Sequence, residues 1–175
     1  MPKPKSQAIS PEAATEVAAR TIHTVDGLWF LAVEEEYGFE AAFELNQQVW
    51  KRGAFIHGKR LLKNMNVKGN TPFEALATMI LADPIMSFRR TQVTTLTDSR
   101  LVIRTLNCPP AEARYRDGRG VFNGVPGCTL LLATYAGLID PRIQTKCVCC
   151  TPNPENPEYW CEWEFTLPQD NGNER

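Results

Sequence analysis

Residues 100–107 read Arg100-Leu101-Val102-Ile103-Arg104-Thr105-Leu106-Asn107, a run dominated by apolar and β-branched side chains. Residues 85–96 just upstream are rich in Val, Ile, Thr and Phe, and Thr97-Asp98-Ser99 between them carries turn-forming residues. Two such runs around a short polar turn predict a β-hairpin. A second pair follows at about 142–149 and 159–167, separated by Pro152-Asn153-Pro154-Glu155-Asn156-Pro157. Two hairpins in one small chain most simply share one antiparallel sheet.

Helical signals surround the hairpins. Ser10-Pro11-Glu12 offers an N-cap, a proline at the first helical position and an early acid. Apolar residues continue through Val17, Ile22, Val25, Trp29, Phe30 and Val33, and Gly38 is the expected stop. A second helix is predicted over about 39–65, with a kink near Gly53 and Gly58. Thr71-Pro72-Phe73-Glu74 forms a capping box that opens a third helix, closed by Asp83-Pro84. Between the hairpins, Cys108-Pro109-Pro110 opens one helix, ended by Gly118 and Gly120, and residues 127–138 form another. The expected fold is α+β: three N-terminal helices, then two β-hairpins separated by two helices. The hairpins would form a four-stranded antiparallel sheet with helices packed on one face. A disordered arm (1–9), a single domain (10–168) and a flexible tail (169–175) complete the division.

A chain of 175 residues is about one domain. Its 43% hydrophobic and 22% charged residues exclude a disordered, collagen-like or coiled-coil chain. The net charge of −1 lacks the basic excess of a general nucleic-acid binder. No apolar run reaches the ~18 residues of a membrane span, and no apolar stretch follows the basic start Met1-Pro2-Lys3-Pro4-Lys5 to make a signal peptide. The expected setting is the cytoplasm, with no nucleic acid or membrane as partner.

In a reducing compartment, clustered cysteines point to metal or chemistry more than to disulfides. There are six. Cys147-Val148-Cys149-Cys150 contains a C-x-x-C, a spacing used by zinc and iron–sulfur sites. Strand alternation puts Cys147 and Cys149 on one face with Ile143 and Thr145, and turns Cys161 inward with Tyr159, Trp163, Phe165 and Leu167. Cys108 and Cys128 each fall at a predicted helix N-terminus, where the positive helix end stabilises a thiolate. The candidate metal ligands are therefore Cys108, Cys128, Cys147, Cys150 and Cys161, for zinc or an iron–sulfur cluster. The plainer alternative is that several are small buried hydrophobes.

His23 and Asp26 fall on one helical face with Phe30 and make a candidate acid/base pair facing a pocket. Asp26, Trp29, Tyr135 and Trp163 are candidate pocket residues. Glu34-Glu35-Glu36 crowds the negative end of the first helix, which the macrodipole disfavours; one of them is a candidate to meet a partner such as an arginine, while the usual reading of such a run is a solvated face. The arginines Arg89, Arg90, Arg100, Arg104, Arg114, Arg116 and Arg119 offer hosts for a carboxylate or phosphate, although such side chains are more often solvated or paired. Neither G-x-S-x-G nor a phosphate-cradling glycine loop is present.

Several strings together resemble an uncharacterised prokaryotic family catalogued as a domain of unknown function. They are Asp26-Gly27-Leu28-Trp29-Phe30-Leu31-Ala32-Val33-Glu34 with Tyr37-Gly38, Asn107-Cys108-Pro109, Gly127-Cys128, Ile139-Asp140-Pro141-Arg142-Ile143, Cys147 and Cys150, and Trp160-Cys161-Glu162-Trp163-Glu164-Phe165. The resemblance spans about residues 15–167. More distantly, Gly137, Cys147 or Cys150, and Cys161 to Phe165 are similar to the 4-vinyl reductase-type ligand-binding domain. Cys108, Cys128 and Cys161 are similar to the layout of the L-2-amino-thiazoline-4-carboxylic acid hydrolase family, although Thr129-Leu130-Leu131 lacks the Asp expected there. These resemblances imply an α+β domain with a pocket between helices and sheet.

The expected function is a small-molecule-binding domain with a cysteine thiolate metal site at the C-terminal hairpin, taking a small organic ligand. One alternative is a hydrolase of a cyclic C–N bond, with Cys108 or Cys128 as nucleophile and His23 or His57 as base. Another is a non-catalytic interaction domain. A homodimer is one expected assembly.

Overall fold

Ser10 accepts the Ala13 N–H at 3.2 Å and Pro11 takes the first helical position, so α1 (Pro11–Tyr37) starts where the sequence places it. The computed structural model describes residues 9–67, 70–120, 123–150 and 158–168. Most of the expected arm, the turn at 152–157 and the expected tail lie outside the described residues. Gly38, at φ +86°, ends α1, and α2 (Phe39–Asn64) returns along it. The return is fixed by Phe30 against Phe39, 5.9 Å between ring centroids, and by Asp26 receiving Asn46 and Trp50.

α2 runs unbroken where a kink was expected. Gly58 serves a different purpose: it lets α2 approach α5 (Val125–Ile139). A Cβ there would sit 2.6 Å from Leu138 Cδ1 and 3.3 Å from Tyr135 Cδ1. α3 (Pro72–Ala82) opens on the Thr71–Glu74 capping box. After it the chain departs from the predicted strand over 85–96. The Asp83 carboxylate accepts the Ile85 N–H at 2.8 Å, Pro84 presets φ, and a 3-10 turn forms at Pro84–Met86. β1 therefore begins only at Thr91 (Thr91–Leu96). β2 (Arg100–Thr105), α4 (Pro109–Arg116), α5, β3 (Gln144–Cys150) and β4 (Cys161–Thr166) follow.

The fold is α+β, with one four-stranded antiparallel sheet in the order β1-β2-β4-β3. The two hairpins join through β2 and β4, where Leu101 pairs with Phe165 and Ile103 with Trp163. Those four side chains are fully buried and meet Phe73, Leu76, Ile80 and Tyr135 in the core. Each such side chain contributes roughly 1.5–3 kcal/mol of burial. The outer face of the same strands carries ion pairs, Arg100 to Glu164 at 2.6 Å and Arg104 to Glu162. Among the described residues no helix is long and apolar enough to cross a membrane.

The ladder register shifts twice, at Val93/Thr95 in β1 and at Cys147/Cys149 in β3, and the second shift bears on the cysteines. The β3–β4 register passes from Cys147↔Trp163 to Cys149↔Glu162, so Val148 is a bulge. One extra residue reverses the parity beyond it. Cys150, not Cys149, joins Cys147 against the core, and Cys150 pairs with Cys161.

Candidate functional site

A cavity of about 360 Å³ opens between α1, α2, the turn after α3 and the first turns of α4 and α5. Phe30, Leu31, Phe43, Met86, Phe88 and Leu131 give it apolar walls. Its polar groups include His23, Asp26, Arg89 and Cys128.

Arg89 stands apart from the other arginines of the predicted cluster. Arg114 grips Glu34 through two nitrogens at 2.7 and 3.0 Å, and Arg119 reaches Glu35 at 3.2 Å. Two of the three acids crowded at the end of α1, Glu34 and Glu35, thus have their partners on and after α4. Arg100 and Arg104 pair on the outer sheet face, and Arg116 with Asp117. The Arg89 side chain has a single hydrogen bond among the described residues, from Nη1 to the Cys128 sulfur at 3.7 Å. Its Nε is buried with no partner. Of the five N–H donors of a guanidinium, the one on Nε is thus both buried and unmet by the described residues.

Local sequence explains this placement. Asn107 clamps the backbone on both sides of Arg89: its Oδ1 accepts the Arg90 N–H at 2.6 Å and its Nδ2 donates to the Phe88 carbonyl at 3.1 Å. The preceding turn is held by Asp83, which is buried and accepts from Ile85, His57 (2.8 Å) and Tyr135 (2.7 Å). His57 is thereby committed to Asp83 and does not line the cavity.

His23 donates from Nε2 to the Ile85 carbonyl at 2.8 Å and lies edge-on to Phe88. Burial holds its pKa below the usual value, so it is neutral at pH 7. Asp26 accepts Asn46 at 3.0 Å and Trp50 at 3.1 Å on the same oxygen. Burial nevertheless pushes its carboxyl above the usual carboxylate range.

The other proposed pocket residues lie elsewhere. Tyr135 and Trp163 are fully buried in the core and do not line this cavity, and Trp29 faces outward. Inward-facing aromatics looked like pocket walls in the sequence because the core and the cavity share the same apolar periodicity.

Three thiols, those of Cys128, Cys108 and Cys161, lie within electrostatic reach of Arg89. Cys108 caps α4, Cys128 sits in the first turn of α5, and Cys150 and Cys161 face each other across β3 and β4. Among the described residues, no three Cys, His, Asp or Glu side chains are placed to hold one metal ion. The expected low pKa at a helix N-terminus fails for Cys108: burial pushes its thiol up, against the pull of Arg89. Burial likewise raises Cys147 to about 11. The lowered thiol is Cys161, at about 6, where a hydrogen bond from Cys150 comes first, with Thr105, Trp163 and Arg89 adding to it. Cys150, which holds the shared proton, is raised correspondingly.

In the sequence Arg89 is one of seven clustered arginines that nothing sets apart, and Asn107 is one residue of a longer string. An apolar run that holds an arginine next to Phe88, followed one hairpin later by Asn before Cys-Pro, is the signal in the sequence. No curated protein and no solved structure matches the chain. Its residues 6–167 match a family of unknown function, DUF6125, and with nearly the whole chain covered, the protein belongs to that family.

Proposed function

We propose that this protein binds a small organic acid, with the apolar body in the 360 Å³ cavity and the anionic head on Arg89. The observation that carries this reading is the buried Arg89 Nε without a partner. Withdrawing a charge from water costs several kcal/mol unless it is paired and hydrogen-bonded. A planar fork of donors suits a carboxylate, which can take two at once. The cavity size falls within the ~300–1,000 Å³ range of small-ligand sites. Its apolar walls, with three phenylalanines among them, favour an aliphatic or aromatic body.

Thermal denaturation with a panel of aromatic and medium-chain monocarboxylates, each beside its neutral amide, tests this. A carboxylate at 100 times its Kd adds about 2.7 kcal/mol, or roughly 5–10 °C in a chain of this size. The amides should add far less, and the Arg89→Met protein should respond to neither. Equal shifts from acid and amide, or no shift from any acid, would count against the reading.

A further inference from the structure

The outward face of the α1–α2 pair is built like a helix-bundle seam. On α1, Ala18, Ile22, Val25, Trp29 and Ala32 alternate at spacings of four and three, and all are exposed. On α2, Leu45, Val49, Arg52 and Ile56 repeat the same spacing and are also exposed. This is the heptad pattern that drives helices together, and it is separate from the inner row of Ala19, His23, Asp26 and Phe30 that faces α2 and the cavity. The large apolar residues of the face, with Phe55, are between 41% and 60% exposed. A groove between the helices is lined by Trp29, Leu45, Val49, Phe55 and Ile56.

We infer that this face packs against the same face of a second copy, closing a four-helix bundle in which α1 of one copy lies on α2 of the other. Two observations select that occupant. The first is area: five half-exposed aliphatic and two half-exposed aromatic side chains offer about 500 Å² of apolar surface per copy. A standard interface of ~800 Å² per partner, about 57% apolar, needs roughly 450 Å². The second is charge. Setting aside Asp26, which faces α2, and Glu34 and Glu35, which pair with Arg114 and Arg119, α1 carries three acids against one base, and α2 carries five bases against two acids. Stacking like helices would set Arg52 near its own copy, whereas crossing them sets the basic helix over the acidic one. With the helix axes matched as Asp26 is to Asn46 and Trp50, Val25 of one copy falls at the level of Val49 of the other.

Sedimentation equilibrium of the full chain tests both parts. The wild-type protein should run at twice 19.7 kDa. Val25→Glu and Val49→Lys, each at an exposed position, should run as monomers with unchanged helical circular dichroism. An equimolar mixture of the two variants should recover the dimer, because each Glu then meets a Lys and each remaining Val meets a Val. A monomeric wild-type protein at ~100 µM, far above the Kd typical of a standard-size interface, or dimeric single variants, overturns the inference. A mixture that stays monomeric overturns the crossed arrangement.

Discussion

Arg89→Met is expected to make the ligand-free protein more stable while abolishing its response to organic acids. The guanidinium has one hydrogen bond, to a sulfur at 3.7 Å, and a sealed Nε. A buried donor left unmet costs about 1–3 kcal/mol. Exchanging a buried charge for an apolar side chain of similar volume is often neutral or stabilising by about 1–4 kcal/mol. Against this stands the attraction between Arg89 and the Cys161 thiolate, which the substitution forfeits. The net gain should be about 1–2 kcal/mol, equivalent to a rise in Tm of roughly 2–8 °C for this length. Calorimetric melts of both proteins at pH 7, without and with a carboxylate that shifts the wild type, give both halves of the result. A fall in Tm of more than about 3 °C, close to 1 kcal/mol on the same scale, would mean that the folded protein already satisfies this charge. Its donors would then not be awaiting a ligand.

Four further outcomes are expected. Gly53→Ala should stabilise by about 0.5–1 kcal/mol through helix propensity, since its nearest neighbour is Trp50 Cε3 at 3.8 Å. Gly58→Ala should lose about 1 kcal/mol, the overpacking against Leu138, Met79 and Tyr135 exceeding that gain; urea melts that rank the two equally would contradict the close approach of α2 and α5. Asp26→Asn should raise Tm at pH 7, because burial raises the folded carboxyl and so weakens the fold as pH climbs past the unfolded value toward the folded one. That gain should fade below pH ~4, the unfolded carboxyl value, and a gain independent of pH would refute the cause. Cys161 should show thiolate ultraviolet absorbance with a midpoint near about 6, lost in Cys161→Ser and shifted upward in Thr105→Val. Its lowered folded pKa stabilises the fold above the unfolded thiol value of ~8.5, and that stabilisation disappears as pH falls through about 6.

Much of the architecture was readable because its signals are local. Ser10, Thr71 and Gly38 mark helix boundaries through their own hydrogen bonds or φ, and the structure keeps each of them. The early start assigned to β1 was wrong because a buried side chain, Asp83, decides the backbone at 84–86, and its three donors come from α2, α5 and the turn itself. The site was harder to read for the same reason. Whether an arginine is paired depends on which carboxylate the fold brings near: Glu34 for Arg114, across 80 positions, and none of the described ones for Arg89. Placing Trp163 on an inward strand face needed only alternation, but separating core from cavity needed the helices that cover it.

The bulge at Val148 changes what the C-x-x-C string means. In a metal knuckle, that spacing wraps two sulfurs round an ion. Here the chain is drawn out along a sheet, and four letters of text count as three rungs of the ladder. Removing Val148 should therefore leave Cys147 and Cys150 on the side they now occupy, whereas inserting one residue after Cys149 would swing the Cys150 sulfur away from Cys161. Relatives of this chain that space these cysteines one residue closer would present the same thiols to the interior, and a search for the four-letter string alone would pass them over.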